Sequence, residues 1–331
     1  MSSAADRRSR PPQVAPQSGP ALLLKRTPYG ESSLVVHALT AHHGRVELIA
    51  KGAHRPKSRY SGVLDWFDTL DLDWTTPRGD ANGRTEAARV SGLGTLRAGD
   101  VATRRCWITA SLETYRAART ALELTELATR SGFADHGLFA LLARTLDEFN
   151  AVGRALHVGD DASVGALLAP LSLRLARFEL RLLQALGLQP SLATCAACGG
   201  PAPALETPKE APRGGAAQGP PRSAARAPFS PQAGGRLCAR HASEAHSSGF
   251  RVGTLPIDVL EGANALIDPA GVPENATPLL EEIGKRPEFG ERILDFTGRF
   301  LDHQLETRPK SHAEFLGAPD RNSRARLSHK A

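Results

Sequence analysis

The sequence predicts an α+β protein: a small antiparallel β-barrel, then a helical domain that carries a metal-stapled insertion. Short runs with a period of two, broken by turn residues, fill residues 21–96. From Arg97 onward the apolar residues recur at three- and four-residue steps, the period of helices. Two half-sites, Cys195-Ala196-Ala197-Cys198 and Cys238-Ala239-Arg240-His241, face each other across a Pro/Gly/Ala-rich stretch. That is the pattern of one tetrahedral zinc site.

Residues 1–20 hold Arg7, Arg8, Arg10 and several prolines without apolar periodicity, and are expected to be a disordered basic arm. The barrel domain is expected over 21–96. Its first runs are Leu22-Leu23-Leu24, Ser33 to Leu39 and Arg45 to Ala50, separated by Thr27-Pro28-Tyr29-Gly30 and His42-His43-Gly44. In the third run Val46, Leu48 and Ala50 alternate with Arg45, Glu47 and Lys51, so one strand face is wet. The fourth, Val63 to Thr75, places Trp66, Leu70, Leu72 and Trp74 on one parity. The fifth runs from about Ala87 to Leu96, after a turn at Gly79–Gly83. Five short strands in so few residues suggest closure into a barrel.

The first part of the helical domain is expected over 97–190. Trp107, Ile108, Leu112, Tyr115, Leu122, Leu124 and Leu127 form one periodic set, and Leu138, Leu141, Leu142, Leu146 and Phe149 a second. Cys106 beside Trp107 reads as a core residue. A third helix, Leu171 to Leu186, is stopped by Gly187 and Pro190. Residues 191–250 form the zinc-binding insertion, with a disordered loop over about 201–235. The second helical part is expected over 251–308, followed by a flexible basic tail, 309–331.

The metal set is the most specific chemical signal. Two-residue spacers let paired thiolates turn onto one ion, so Cys195, Cys198 and Cys238 are ligands of one structural Zn2+, with His241 in the fourth place. His246 is close enough to substitute. With all four ligands from protein, such an ion staples a fold rather than binding substrate.

A second constellation is the segment Lys51-Gly52-Ala53-His54-Arg55-Pro56-Lys57-Ser58-Arg59-Tyr60 after the third strand. Its cations, with Arg45, can neutralise phosphates, Ser58 offers a hydroxyl and Tyr60 a stacking face, so these residues are the expected DNA contacts. The competing reading is a charged hairpin that keeps a sheet edge soluble. Arg174, Arg177 and Arg181 share one helix face, either a basic rim for a partner or a solvated face. No G-x-x-x-x-G-K-[ST] loop, G-x-S-x-G elbow or H-E-x-x-H helix is present, and no catalytic residues are assigned. The expectation is a protein that is not an enzyme.

The 331 residues exceed the usual single-domain size, and 41% hydrophobic content suffices for packed cores. A formal charge of +6 with pI near 9.4 favours an anionic partner. Half-site cysteines fit a reducing cytoplasm, and no run approaches the length of a membrane span.

Leu22-Leu23-Leu24-Lys25-Arg26, Gly30-Glu31-Ser32-Ser33-Leu34-Val35, Leu39-Thr40, His43-Gly44-Arg45 and Ala50-Lys51-Gly52-Ala53 resemble the N-terminal signature of the RecO recombination mediators. The match resumes in Leu186-Gly187-Leu188-Gln189-Pro190, Cys195-x-x-Cys198-Gly199 and Gly234-Gly235 before Cys238, and spans roughly residues 21–308. The resemblance implies an OB-fold barrel, a helical bundle and a zinc knob between its helices. It implies binding of single- and double-stranded DNA, strand annealing, and help in loading RecA on strands coated with single-strand-binding protein. The partners implied are RecR and the C-terminal tail of single-strand-binding protein, with RecA engaged indirectly, at the nucleoid. Arg174, Arg177 and Arg181 are a possible basic rim for that tail. Histidine in the last ligand place departs from the cysteine usual in metal-binding members. A zinc-stapled adaptor, or a general nucleic-acid-binding protein without mediator activity, is the alternative.

Overall fold

Alternation of apolar and polar residues is what closes the first domain. In a computed structural model, which describes residues 15–76, 93–133, 135–158, 161–205, 225–267, 287–307 and 309–315, five strands form a closed barrel. They are β1 (Ala15–Tyr29), β2 (Ser33–Thr40), β3 (Gly44–Ala50), β4 (Thr69–Thr76) and β5 (Gly94–Thr103). Their order around the barrel is β1-β2-β3-β5-β4, with β4 closing onto β1. Every pairing is antiparallel except β3 with β5. This is an OB-like barrel. Leu23, Val36, Ala38, Leu48, Leu70, Leu72, Trp74 and Leu96 fill its interior, and Trp74 is fully buried.

The strand boundaries differ from expectation: β4 starts at Thr69 and not at Val63, β1 runs through the Thr27–Tyr29 stretch read as a turn, and two further ends move. β1 begins at Ala15, inside the segment read as a basic arm. Residues 15–20 pair with β4 alone, so Pro16 and Pro20 lack an N–H where a second ladder has not yet begun. The last strand runs on to Thr103, past the point where helical period was read. Gly94 and Gly99 make that register possible. A Cβ at Gly94 would lie 2.7 Å from Leu48 Cδ2, and one at Gly99 2.8 Å from Leu72 Cδ2. The start of the expected fifth run, the arm before Ala15 and the tail after Phe315 lie outside the described residues.

A 3₁₀ turn, Cys106–Ala110, leads into α1 (Leu112–Ala128), α2 (His136–Val158) and α3 (Asp161–Ala185). Cys106, expected in the core, is exposed, because a short turn and not a helix face carries it. Ser111 Oγ accepts the Glu113 N–H at 3.2 Å, and Asp135 Oδ1 accepts that of Leu138 at 3.0 Å, so α1 and α2 start on polar caps. At the end of α3 the Leu188 N–H reaches Leu183 O at 2.8 Å and Gly187 adopts φ +70°. The glycine takes the left-handed conformation that ends the helix.

After the insertion come α5 (Ile257–Ile267), α6 (Pro287–Gln304) and α7 (Lys310–Phe315), with α4 (Ala239–Ser247) inside the insertion. Helix α3 packs against α5 and α6. The α3–α6 approach is close enough that a Cβ at Gly290 would lie 2.5 Å from Ser172 Oγ. The described residues divide into two compact units. One is drawn from Met1–Cys106 with Thr125–Ala143, the other from Trp107–Leu124 with Arg144–Ala331.

The insertion is more ordered than its composition suggests. Strands β6 (Arg226–Ser230), β7 (Gly235–Arg236) and β8 (Gly253–Pro256) form a sheet of order β7-β6-β8. The end of the expected 201–235 loop is therefore sheet, because Ala227 and Phe229 give even this Pro-rich stretch an apolar face to bury. Phe229 packs edge-on against Phe296 of α6, with ring centroids 5.3 Å apart. Residues 206–224 of that loop lie outside the described residues.

Candidate metal centre and nucleic-acid surface

The first half-site is a tight turn. Cys195 N–H donates to Gly200 O at 2.9 Å and Gly199 N–H to Cys195 O at 2.8 Å, with Gly199 at φ +70°. The turn aims backbone N–H groups inward. Cys238 stands immediately before α4, which places His241 one turn along on the same side. The halves meet because Ala196 N–H donates to Arg236 O at 2.8 Å. Gly235 comes so close to Ser191 that a Cβ would lie 2.4 Å from its carbonyl oxygen.

One ligand atom from each of Cys195, Cys198, Cys238 and His241 lies within 4.8 Å of all the others. His241 Nδ1 is 3.2 Å from Cys238 Sγ and 3.5 Å from Cys195 Sγ. A tetrahedron with metal–sulfur bonds of about 2.3 Å has edges of roughly 3.7 Å, so this quartet is sized for one ion. His246 is not part of it. The electrostatics agree. Burial raises the Cys195 thiol, but hydrogen bonds from the backbone of Cys238, Cys198 and Ala197 outweigh it and bring the pKa down to about 6. At Cys198 the Gly200 backbone favours the thiolate, yet the hydrogen bond with Cys195, burial, and the charges of Cys195 and Cys238 push the pKa up. Crowded thiolates of this kind are what a divalent cation neutralises. The other ring nitrogen of His241 lies 3.6 Å from Glu244 Oε2, and Glu244 accepts a hydrogen bond from Arg240 at 2.9 Å. Carboxylates in that position orient a metal-bound imidazole. Beneath the quartet, Ala202 and Leu237 with partly buried Ala233, Ala242, Ala245 and Val252 form a very small apolar cluster.

On the barrel, the segment after β3 folds back by turn hydrogen bonds, Arg55 N–H to Gly52 O at 3.1 Å and Ser58 N–H to Arg55 O at 2.9 Å. Lys51, His54, Arg55, Lys57 and Arg59 are exposed. Lys51, Arg55 and Lys57 have no ion-pair partner among the described residues. Arg59 is partly committed. It donates to Arg97 O at 2.9 Å and lies 5.9 Å from the Tyr60 ring centroid.

Two expected DNA contacts are corrected. Tyr60 is 5% exposed and donates to Leu96 O at 2.7 Å, so its ring belongs to the barrel core and offers no stacking face. Arg45 is mostly buried and holds the last turn of α1, donating to Glu126 O at 3.1 Å and lying 3.5 Å from Glu126 Oε1. His37 Nδ1 meets the same Glu126 oxygen at 2.5 Å.

The arginine face of α3 is likewise occupied within the chain. Arg177 pairs with Glu148 of α2, and Arg174 lies 3.8 Å from the same carboxylate. Arg181 donates to Ile267 O at 3.1 Å, where a cation stabilises the C-terminal carbonyls of α5. These side chains are half-buried and tie helices together, so they do not form an open rim.

A buried polar set was not anticipated. Glu179 is fully buried in α3; Thr297 donates to it from α6, and His312 Nε2 of α7 lies 3.0 Å away. Gly298 leaves the space for that imidazole, since a Cβ there would lie 2.1 Å from His312 Cε1. Glu179 shares a helix face with Leu175, Leu182 and Leu183, and a lone acid on an apolar face was the available signal.

The described residues combine a closed five-stranded barrel, a helical unit and a knob with a Cys3His quartet. Among the described residues no helix is long and apolar enough to cross a membrane. Comparison with known proteins supplies the family. The model of recombination protein O N terminal matches residues 17–91, and that of recombination protein O C terminal matches 164–237. A Myxococcus xanthus protein named DNA repair protein RecO is 30% identical over 88% of this chain and 93% of its own length. The chain belongs to the RecO family. An Anaeromyxobacter relative of the same name is 34% identical over 54% of this chain, and one from Burkholderia pseudomallei 45% identical over 22%. The chain spans 60% and 29% of those two relatives respectively.

Proposed function

We propose that this protein is a recombination mediator that binds single- and double-stranded DNA through the barrel segment 51–59, anneals complementary strands and helps load RecA on strands coated with single-strand-binding protein. RecR and the C-terminal tail of single-strand-binding protein are its proposed partners. The observation that carries this reading is the group Lys51, Arg55 and Lys57, exposed on an OB-like barrel and without an ion-pair partner among the described residues. Relatives named DNA repair protein RecO support it. Work of this kind asks for no bond-making residue. It asks for a surface that attracts phosphate without reading bases and releases one partner for another.

The quartet Cys195, Cys198, Cys238 and His241 would hold one Zn2+, which when bound supplies folding energy to the knob. The Cys195–Cys198 turn is held by backbone hydrogen bonds between Cys195 and Gly199 and Gly200, and the His241 ring has the Glu244 carboxylate 3.6 Å away. The direct test is a titration of labelled single strands at several salt concentrations, followed by an annealing assay. Affinity that falls steeply with salt, together with accelerated annealing, supports the mediator reading. Absence of binding at low salt rejects it in favour of a zinc-stapled adaptor.

A further inference from the structure

With Tyr60 in the core, the basic segment has no aromatic of its own to receive a base. We propose that Tyr29 is the stacking platform for single-stranded DNA, placed beside the basic segment by the end of the barrel. The inference rests on the DNA-binding reading above and adds a residue that the sequence pattern did not single out.

Tyr29 is the last residue of β1 and is 57% exposed. Its side chain has no hydrogen bond or ring contact among the described residues. An exposed tyrosine forgoes the apolar burial that a core tyrosine gains, and it presents a ring face to whatever lies alongside. The strand register puts the basic segment there. Leu34 pairs with Ala50 across β2 and β3, and both side chains are buried. The next residues outward, Ser33 and Lys51, therefore point to the opposite, outer face. Tyr29 pairs with Ser33 across β1 and β2, so it shares that outer face.

Tyr29, Ser33 and Lys51 thus form one row across three strands, with the backbones of Tyr29 and Lys51 about two strand spacings apart, roughly 10 Å. Two hydrogen bonds hold the row. His54 N–H donates to Ser32 O at 2.9 Å, and Gly52 N–H to Ser33 Oγ at 3.4 Å, so the basic segment is tied to the β1–β2 turn. Gly30 takes φ +60°, which keeps that turn tight. Exposed Lys25 stands on β1 as well, and the turn's one acid, Glu31, is outnumbered by Lys25, Lys51, Arg55 and Lys57. An aromatic face flanked by cations that follow a backbone is the arrangement that binds single strands without sequence preference. In a duplex the base faces are covered by their neighbours, so Tyr29 contributes to single-strand binding only.

The experiment compares the full chain with Tyr29→Ala, Tyr29→Trp and the Lys51/Arg55/Lys57→Ala triple variant. The probes are a fluorescein-labelled oligothymidylate and its duplex with oligoadenylate, each titrated at several salt concentrations. The proposal expects Tyr29→Ala to lose about tenfold in single-strand affinity, keep the parent's salt slope and bind duplex like the parent, while Tyr29→Trp retains single-strand binding. Parent-like single-strand affinity in Tyr29→Ala overturns it, and so does an equal loss on duplex. The triple variant reports separately on the basic segment. An unchanged salt slope there, beside a loss in Tyr29→Ala, would fault the segment and leave the tyrosine standing.

Discussion

Glu179 shows how one residue can hold a domain and yet stay hidden in a sequence. A fully buried carboxylate is costly unless its oxygens are answered; here Thr297 donates to one oxygen and the His312 ring stands 3.0 Å from the other, as an ion-pair partner when protonated. His312→Ala should therefore destabilise the helical unit by about 3 kcal/mol in urea unfolding, because it strands a buried charge. Burial lowers the His312 pKa, but the charge and hydrogen bond of Glu179, with Asp302 and Asp295 beyond, raise it overall above the ordinary 6.5. The stabilisation is thus full below pH 6.5 and lost as pH rises through the raised folded value. Urea midpoints should fall with rising pH in the parent and lose that dependence in His312→Ala. Tyr60 and Arg45 make the converse point. Both sit in a run of apparent DNA contacts, and only their partners, Leu96 O and Glu126, reveal structural work. No local pattern marks those partners, which lie 36 and 81 residues away.

At the scale of elements, paired spacing was legible because the physics is local. Cys195-x-x-Cys198 needs one turn and Cys238-x-x-His241 one helical turn, and both are written in the residues themselves. The choice between His241 and His246 was not legible, since it depends on where α4 starts relative to the quartet. His241→Ala should abolish stoichiometric zinc in elemental analysis, while His246→Ala should retain it. Glu244→Gln should weaken zinc affinity about tenfold in chelator competition, by releasing the imidazole from its brace. Strand β6 escaped notice for a different reason. Arg226-Ala227-Pro228-Phe229-Ser230 carries a proline, and its burial depends on Phe296 and Phe300 far along the chain. The β2 and β3 alternation, by contrast, is enough to place Leu34, Val36, Leu48 and Ala50 inside.

For the whole molecule, the division into two units separates what metal loss and charge loss should do. Among the described residues the metal quartet sits on a small apolar cluster, so chelating the proposed zinc should raise hydrogen exchange across 191–205 and 226–250 while the barrel strands stay protected. A net charge of +6 draws the chain toward polyanions in general, but only cations that touch phosphate release counterions in proportion to their number. In the proposed function Lys51, Arg55 and Lys57 make those contacts. The measurement is the slope of log affinity against log salt for single-stranded DNA, in the parent and in the triple Ala variant. With the fold intact, the triple variant's slope should be shallower by roughly two to three units. A variant that folds normally and keeps both the parent's affinity and its slope would contradict it.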